Sequence, residues 1–201
     1  MTVLILSSRG STALTRYLIK DITKFIKCEE ETKYDIKQNI RSLNDLIDLH
    51  KCSSIIYFET TKRNERVWIG LRDGVSIKFN VYNLFTIKSL KFAVNCYKNC
   101  GHLLMFTEEF DKIDYLISVK KVFSEVFKTS ATMYDRTLCF YWVDNKIWIR
   151  NFVIDNENLN EIGPRIVLEV DKILEKCFSG SVLYSRKVEQ EIEEFKKNRN
   201  N

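Results

Sequence analysis

Histidines and paired carboxylates are the side chains of this sequence that could carry acid–base chemistry. His50 and His102 are its two histidines, and neither lies in a Ser-His-Asp order or beside a nucleophile-elbow motif. Neighbouring carboxylates at helical or loop positions point in different directions, so they cannot flank one reacting bond. Such pairs occur at Glu108-Glu109 and Glu193-Glu194. We therefore expect a protein that is not an enzyme.

One spacing in the middle of the chain is typical of metal ligands. Cys96, Cys100 and His102 form a C-x3-C-x-H cluster, and thiolates and imidazole bind zinc. The sequence offers no evident fourth ligand and no second pair of ligands, so buried thiols are the simpler interpretation. A metal role stays open. Neither a P-loop nor a G-x-G-x-x-G motif is present, so we expect no nucleotide and no other cofactor.

Basic residues at predicted turns and strand ends indicate binding of phosphate groups. Guanidinium groups held at rigid positions can bind phosphate oxygens in pairs. The Ser7–Gly10 stretch also lies between a predicted strand and a predicted helix, where backbone N–H groups favour an anion. For any single arginine, a solubilising surface role is the simpler interpretation. The candidate RNA-binding residues are Ser8, Arg9, Gly10, Lys62, Arg63, Arg66, Arg72, Lys78, Arg136, Arg150, Arg165 and Lys172.

Composition is compatible with a nucleic-acid partner but does not require one. The 201 residues carry a formal net charge of +5 and are 45% hydrophobic, which suffices for one domain or two small halves. Trp68, Trp148 and Tyr82 could stack on unpaired bases, although core packing is the favoured interpretation for the tryptophans.

We see no signal peptide and no apolar stretch of spanning length, so we expect a cytosolic or nuclear protein with reduced cysteines.

The hydrophobic pattern predicts strands and helices in an order that occurs twice. The first copy has a strand at 3–8, a helix capped by Ser11 or Thr12, a second helix, a strand at 55–58 and a hairpin. Apolar residues at helical spacing define the two helices: Leu14, Leu18, Ile22 and Phe25, then Ile36, Ile40, Leu43 and Ile47. An Asp73-Gly74 turn joins the hairpin strands at 67–71 and 75–81.

The second copy begins near residue 100. The pattern predicts two strands, Leu103–Phe106 and Leu138–Val143, with a helix between them that includes Val126. An Asp144-Asn145 turn then leads to a strand at 146–154. A last strand begins at Ile166. We expect an α/β fold of two pseudo-repeated halves, whose two small mixed sheets bury faces against each other. A charged helix over 185–198 follows, and its apolar stripe could dock on its own domain or on a partner. The stripe consists of Val188, Ile192 and Phe195.

Residues 146–183 carry the most specific pattern in the chain. Lys146–Ile154 reads KIWIRNFVI, the Glu161–Arg165 run EIGPR precedes an apolar strand, and Cys177–Gly180 reads CFSG. These stretches resemble the Brix family of ribosome-biogenesis proteins, and the IWIR and EIGPR combination resembles its large-subunit subgroup. The likeness covers nearly the whole chain, since upstream stretches are also similar: Ser8–Gly10, Asn39–Leu49, Cys52–Glu59, Ile77–Phe79, Asn83-Leu84 and Leu90–Cys96. Ile166 stands where relatives usually carry a bulky aromatic residue, and the long basic tails are lacking, which resembles a reduced form.

The resemblance implies a fold, a role and partners. It implies a Brix domain at 1–184, whose halves (about 1–99 and 100–184) resemble the anticodon-binding domains of class II tRNA synthetases, and a C-terminal helix or tail at 185–201. It implies binding to large-subunit precursor rRNA in the nucleolus or nucleus, without a membrane or a small-molecule substrate. The implied protein partners are an EBNA-binding-protein homologue and other proteins of the large-subunit precursor.

Three functional hypotheses follow. The first is an rRNA-binding, non-catalytic scaffold for assembly of the large ribosomal subunit. The alternative is a protein-interaction module of the preribosome with only incidental RNA contact. The third, a synthetase-related accessory, rests on fold analogy alone. The sequence leaves open which rRNA segment is bound, the affinity and stage, and whether Gly163–Arg165 contacts RNA or only stabilises the fold.

Overall fold

A mixed sheet of eleven strands runs through the described part of the chain, with helices against its faces. The computed structural model describes residues 2–31, 33–36, 39–61, 64–91, 101–129, 131, 133–187 and 189–190. Strands and helices alternate as the sequence predicts, and the mixed α/β class is confirmed. No helix in these ranges combines the length and the apolar character that crossing a membrane needs.

The described residues of the N half form five strands and three helices. Thr12 caps the first helix, since its hydroxyl accepts a hydrogen bond from the Thr15 amide, which decides between the two predicted caps. Gly74 N donates to Leu71 O at 3.1 Å and closes the predicted Asp73-Gly74 turn. The elements are β1 Val3–Ser7, α1 Ala13–Ile22, β2 Cys28–Glu30, α2 Ser42–Leu49, β3 Ser54–Thr60, β4 Glu65–Leu71, β5 Ser76–Phe85 and α3 Ile87–Leu90.

The C half follows the same plan with different additions. Asp144 and Asn145 have φ values of 52° and 55°, the left-handed pair that a tight two-residue hairpin turn requires, as predicted. The elements are β6 Gly101–Phe106, α4 Glu109–Lys112, α5 Asp114–Val126, β7 Tyr134–Val143, β8 Lys146–Asp155, β9 Asn158–Glu161, β10 Arg165–Lys176 and β11 Ser179–Ser185. The short strands β2, β9 and β11 were not predicted from the pattern.

Strand pairing shows the internal repeat directly. In the N half β1 is parallel to β3, and β3, β4 and β5 then pair antiparallel in sequence. In the C half β6 is parallel to β7, and β7, β8 and β10 pair antiparallel in the same way. The two Ile/Val-Trp-Ile triplets of the sequence lie on the corresponding strands β4 and β8. The predicted join near residue 100 borders 92–100, which lie outside the described residues.

The expectation of two separate sheets packed face to face is wrong. The last strands of the two halves, β5 and β10, pair antiparallel from Arg165 opposite Phe85 to Leu174 opposite Ser76. The halves therefore join edge to edge into one sheet, with the strand order β2-β1-β3-β4-β5-β10-β8-β7-β6. The physical reason is that both strands are long, and pairing them satisfies two open edges of backbone N–H and C=O groups.

The main core lies between one face of this sheet and the helices α1 and α5. We call this the inner face. Leu18 and Ile22 of α1 and Phe123 of α5 are buried there against strands from both halves. Leu14, predicted in the apolar stripe of α1, is instead 37% exposed. Phe25 follows the end of α1 but still packs against this core.

The opposite, outer face is covered in the N half by α2. Leu43 and Ile47 of α2 are fully buried against residues that alternate with the inner-face ones, among them Leu4, Leu6 and Tyr57. The helix begins only at Ser42, later than predicted, because Ile36 and Ile40 pack against this cluster from an irregular segment. The outer face of the N half is thus a second, smaller core.

The predicted C-terminal helix can be described only at its start. Residues 186, 187, 189 and 190 are helical. The three stripe residues Val188, Ile192 and Phe195 lie outside the described residues, so their role as a partner-binding stripe stays a prediction.

Removing the ring of Phe123 tests how strongly the shared core holds the two halves together. Phe123 lies 5.5 Å from Phe79 of the N half and 4.9 Å from Phe140 of the C half, between ring centroids. We expect Phe123→Ala to lower the free energy of unfolding by about 3–5 kcal/mol, measured by urea denaturation. Leu159→Ala, at a residue 51% exposed, is the control and should change it by less than about 0.5 kcal/mol. Equal effects would contradict a shared core at Phe123.

Candidate nucleic-acid interface

The turn after β1 presents an arginine and buries its serine. Ser8 N donates to Phe58 O at 2.9 Å, and Ser8 Oγ accepts from Thr60 N at 3.0 Å, so this serine anchors the turn to β3. The Arg9 side chain is 72% exposed, with Nε 3.4 Å from Asp35 Oδ2. Of the predicted residues here, Arg9 is the one available to a ligand.

The start of α1 already holds a carboxylate of the protein. The hydroxyls of Thr12 and Thr15 donate to Glu65 Oε1 at 2.8 and 2.9 Å. This negative charge lies where the positive end of the helix was expected to bind phosphate, and it weakens that site. A Cβ on Gly10 would approach only Thr60 O, at 3.8 Å, so space does not require glycine there.

A groove with a volume of about 580 Å³ runs along α1 beside this turn. We call it the α1 groove. Arg16, Lys20 and Lys33 line it, together with Tyr17 and the carboxylates of Glu30 and Glu31. Tyr17 is 44% exposed, and Lys88 Nζ lies 5.3 Å from its ring centroid. The groove therefore combines an exposed aromatic ring with four nearby cations, the chemistry that single-stranded nucleic acid requires.

One of the groove carboxylates is engaged elsewhere. Glu31 Oε2 lies 2.7 Å from His50 Nε2, at the end of α2. Sequence reasoning missed this groove because it searched turns and strand ends. The available signal was the Arg16-Tyr17 pair followed by Lys20, on the side of α1 opposite the buried Leu18.

Several predicted cations form ion pairs within the protein. Arg72 Nη2 lies 2.7 Å from Asp48 Oδ1, and Lys78 Nζ lies 3.0 Å from Asp171 Oδ2. These carboxylates come from distant parts of the chain, so the sequence gave no local indication of them. A paired cation adds little net positive charge to the surface.

Arg150 and Arg165 are brought together by one carboxylate. Arg165 donates through Nε and Nη2 to the two oxygens of Glu161, each at 2.7 Å, and Arg150 Nε lies 3.6 Å from Oε1. The hydrogen bonds that Arg165 donates to Glu161 raise the pKa of Arg165, while burial lowers the pKa of Arg150. The guanidinium of Arg150 lies 5.1 Å from the ring of Trp148. The Arg165 side chain is 37% exposed and is held in place by Glu161.

Arg136 does not lie on the surface, contrary to the prediction. It is 2% exposed, and its Nε donates to Asp135 Oδ1 at 3.0 Å. Its position in β7 turns the side chain inward, so it cannot reach an external phosphate. Arg66 and Lys172 are half-buried within β4 and β10. Lys62 and Arg63 lie outside the described residues.

The aromatic candidates have different surroundings. Trp68 is 8% exposed and packs edge-on against Phe178, with ring centroids 5.9 Å apart, so the favoured core interpretation is confirmed for it. Trp148 is half-buried. Tyr82 is 52% exposed, and its hydroxyl donates to Glu169 at 3.1 Å.

His102 is a buried core residue in this structure. It is 4% exposed, and its Nε2 lies 2.7 Å from Phe127 O, which fits an N–H donating to that carbonyl. Burial lowers its pKa. Within the described ranges, no group of His, Cys, Asp and Glu is arranged to hold a metal. Cys96 and Cys100 lie outside those ranges.

Comparison with known proteins identifies the family. A family model described as the Brix domain matches residues 8–172. The chain belongs to the Brix domain family. The chain is 36% identical over 194 residues to the "Ribosome biogenesis protein BRX1 homolog" of Caenorhabditis elegans, a match that covers 90% of this chain and 55% of that protein. The human protein of the same name is 35% identical, with the same two coverages.

Two further similarities extend this result. The "Ribosome biogenesis protein brx1" of Schizosaccharomyces pombe is 34% identical and is covered to 68%, with 90% of this chain aligned. A crystal structure of a probable ribosomal biogenesis protein from Aeropyrum pernix superposes on the Brix domain with a TM-score of 0.58. The match covers 84% of this chain and 95% of that one at 11% identity, so it concerns the fold alone. The chain spans about half the length of the animal relatives it matches.

The buried His102 predicts a specific loss of stability in mild acid. Since its pKa is lower in the folded than in the unfolded protein, the unfolded state binds more protons as the pH falls below the ordinary value of about 6.5. Stability is therefore present above that pH and is lost toward the folded pKa. We expect His102→Gln to lose less unfolding free energy than wild type between pH 7.5 and 5.5 in urea titrations. His50→Gln keeps His102 and should retain the loss; identical pH dependence in wild type and His102→Gln would refute the assignment.

Proposed function

We propose that this chain is a non-catalytic ribosome-assembly factor that binds precursor rRNA of the large subunit. The observation that carries the proposal is the Brix match over residues 8–172, together with relatives named as ribosome biogenesis proteins. Because the chain spans about half of the animal relatives, the activity of those whole proteins is part of the proposal.

The α1 groove is the proposed rRNA contact. Arg16, Lys20 and Lys33 bind phosphate oxygens there and fix the orientation of the strand. Tyr17 offers an exposed ring on which an unpaired base stacks, since RNA-binding proteins read single strands largely through such stacking. Arg9, in the turn beside the groove, extends the positive surface.

Exposure favours the α1 groove over the other candidate cations. Three cations line the groove with the carboxylates of Glu30 and Glu31, and all three, Arg16, Lys20 and Lys33, are exposed. The cluster around Glu161 has two cations for one carboxylate, and one of the two cations is largely buried. The binding free energy of a polyanion is most favourable where its phosphates meet cations that no carboxylate already neutralises.

The proposal includes a location and a protein partner. We infer action in the nucleolus or nucleus with an EBNA-binding-protein homologue and other proteins of the large-subunit precursor. The domain boundaries (1–184, with halves at about 1–99 and 100–184, then a tail at 185–201) and the likeness of each half to synthetase anticodon-binding domains belong to this proposal too.

Binding of rRNA through the groove is tested with transcripts that tile the large-subunit precursor rRNA. We expect the double variant Arg16→Ala/Lys20→Ala to bind more weakly and to lower the slope of log K against log salt by about 2, or about 1 for each lost phosphate contact. The double variant Lys121→Ala/Lys128→Ala removes two exposed lysines of the C half and is the matched control. Wild-type affinity and slope in the groove variant would defeat the groove assignment.

Arg9 and Arg165 are expected to act differently. Arg9→Ala should weaken rRNA binding without changing the melting temperature, because its pair with Asp35 is exposed and such pairs contribute only about 0–1 kcal/mol. Arg165→Ala should lower the melting temperature, since it removes two short hydrogen bonds to Glu161. Thermal denaturation and filter binding on both variants separate these effects. An unchanged melting temperature for Arg165→Ala would mean that its pairing does not stabilise the fold.

A further inference from the structure

The two halves differ in the connection between their first long helix and the strand that follows it. Between α1 and β3 the N half contains β2 and α2, within residues 23–53. The corresponding connection between α5 and β7, at 127–133, contains no helix or strand among its described residues. The C half therefore lacks both the strand and the helix that complete the N half.

In the N half these two elements have defined positions. β2 pairs in parallel with the outer edge of β1, from Cys28 opposite Val3 to Glu30 opposite Ile5. α2 then lies on the outer face, where Leu43 and Ile47 are buried. Two contacts fix it: Asp48 to Arg72 at 2.7 Å, and Asn44 Nδ2 to Cys177 O at 3.0 Å.

The terminal strand of the C half is apolar and exposed on its outer face. β6, the counterpart of β1, is the terminal strand of the sheet in the described part of the chain. Its outer-face residues Leu103 and Met105 are 43% and 53% exposed. The strand, Gly101–Phe106, contains no Lys, Arg, Asp or Glu, the charges that commonly protect an edge strand from pairing. This edge is suited to accept another strand.

The charge of the neighbouring outer face fits an acidic helix. Tyr141 and Arg150 alternate with inner-face residues of β7 and β8 and so lie on the outer face. Arg150 and Arg165 together share the single carboxylate of Glu161, which leaves a net positive charge. The N half shows the matching arrangement, since α2 is acidic and its Asp48 pairs with Arg72.

We propose that the C half binds a strand–helix segment of a partner protein. Its extended part pairs in parallel with the outer edge of β6, as β2 pairs with β1. Its helix, amphipathic and acidic like α2, covers Leu103, Met105 and Tyr141 on the outer face. This inference rests on the proposed role as an assembly factor with a protein partner, but not on RNA binding through the α1 groove, which lies in the N half.

Site-specific photo-crosslinking in cells tests the inference. p-Benzoylphenylalanine is placed at Leu103, at Tyr141 or, as a control, at the exposed Leu183 of β11, and the crosslinked peptides are sequenced. We expect positions 103 and 141 to label one and the same partner polypeptide, at an extended segment and at an adjacent acidic amphipathic segment respectively. The inference would be overturned if the crosslinks went only to RNA, to residues 92–100 or 191–201 of the same chain, or to a second copy. It would also be overturned if positions 103 and 141 gave no more partner crosslink than position 183.

A charged residue introduced into the edge strand β6 gives a quantitative measure of partner binding. Met105→Lys in the protein labelled at position 103 should reduce the partner crosslink by at least about fivefold, the usual loss at a central interface residue. Leu183→Lys is the matched control and should leave it unchanged, and circular dichroism checks that both variants fold. An undiminished crosslink in folded Met105→Lys would contradict the inference.

The RNA variants keep the two proposals separable. Arg16→Ala/Lys20→Ala should retain the partner crosslink at position 103. Loss of rRNA binding with a retained crosslink supports both proposals, whereas normal rRNA binding without a partner crosslink rejects only the strand–helix partner.

Discussion

The antiparallel pairing of β5 with β10 is the interaction on which the rest of the molecule depends. It joins the last strand of each half, from Arg165 opposite Phe85 to Leu174 opposite Ser76, and so makes one sheet from two. Because the sheet is continuous, α1 and α5 can share one core, with Phe79 of the N half against Phe123 of the C half. Loops at the far ends of the sheet, including the Ser8–Gly10 turn, are consequently held at fixed separations.

Electrostatic pairing decides which of the cations can serve a ligand. Lys78 and Arg72 each have a carboxylate close by that comes from another part of the chain, and Arg150 and Arg165 share Glu161. These contacts orient side chains on the sheet but cancel much of their charge. In the α1 groove, by contrast, Lys20 and Lys33 are exposed beside the exposed ring of Tyr17. These cations lie on a surface that turns and strand ends did not reveal.

The sequence predicted the order of elements well, and their long-range partners poorly. Hydrophobic spacing located α5 and the strands β3 to β8, and Asp-Gly and Asp-Asn correctly marked the two hairpin turns, since these signals are local. The pairing of β5 with β10 joins residues far apart in the chain, and no local pattern distinguishes it from two separate sheets. For the candidate site, residue type and turn position correctly placed Arg9 in an exposed turn, but could not show that Arg136 is buried or that Arg150 contacts Glu161. Those two facts depend on strand register and pairing.

The unequal additions to the two halves have a consequence for assembly. A body made of two matching halves about a central axis looks nearly the same after half a rotation, and it could be inserted into a large complex in two opposite directions. β2 and α2 on only one half remove that ambiguity. The two ends of the sheet are thereby distinguishable, with the α1 groove in one half and the exposed edge of β6 in the other.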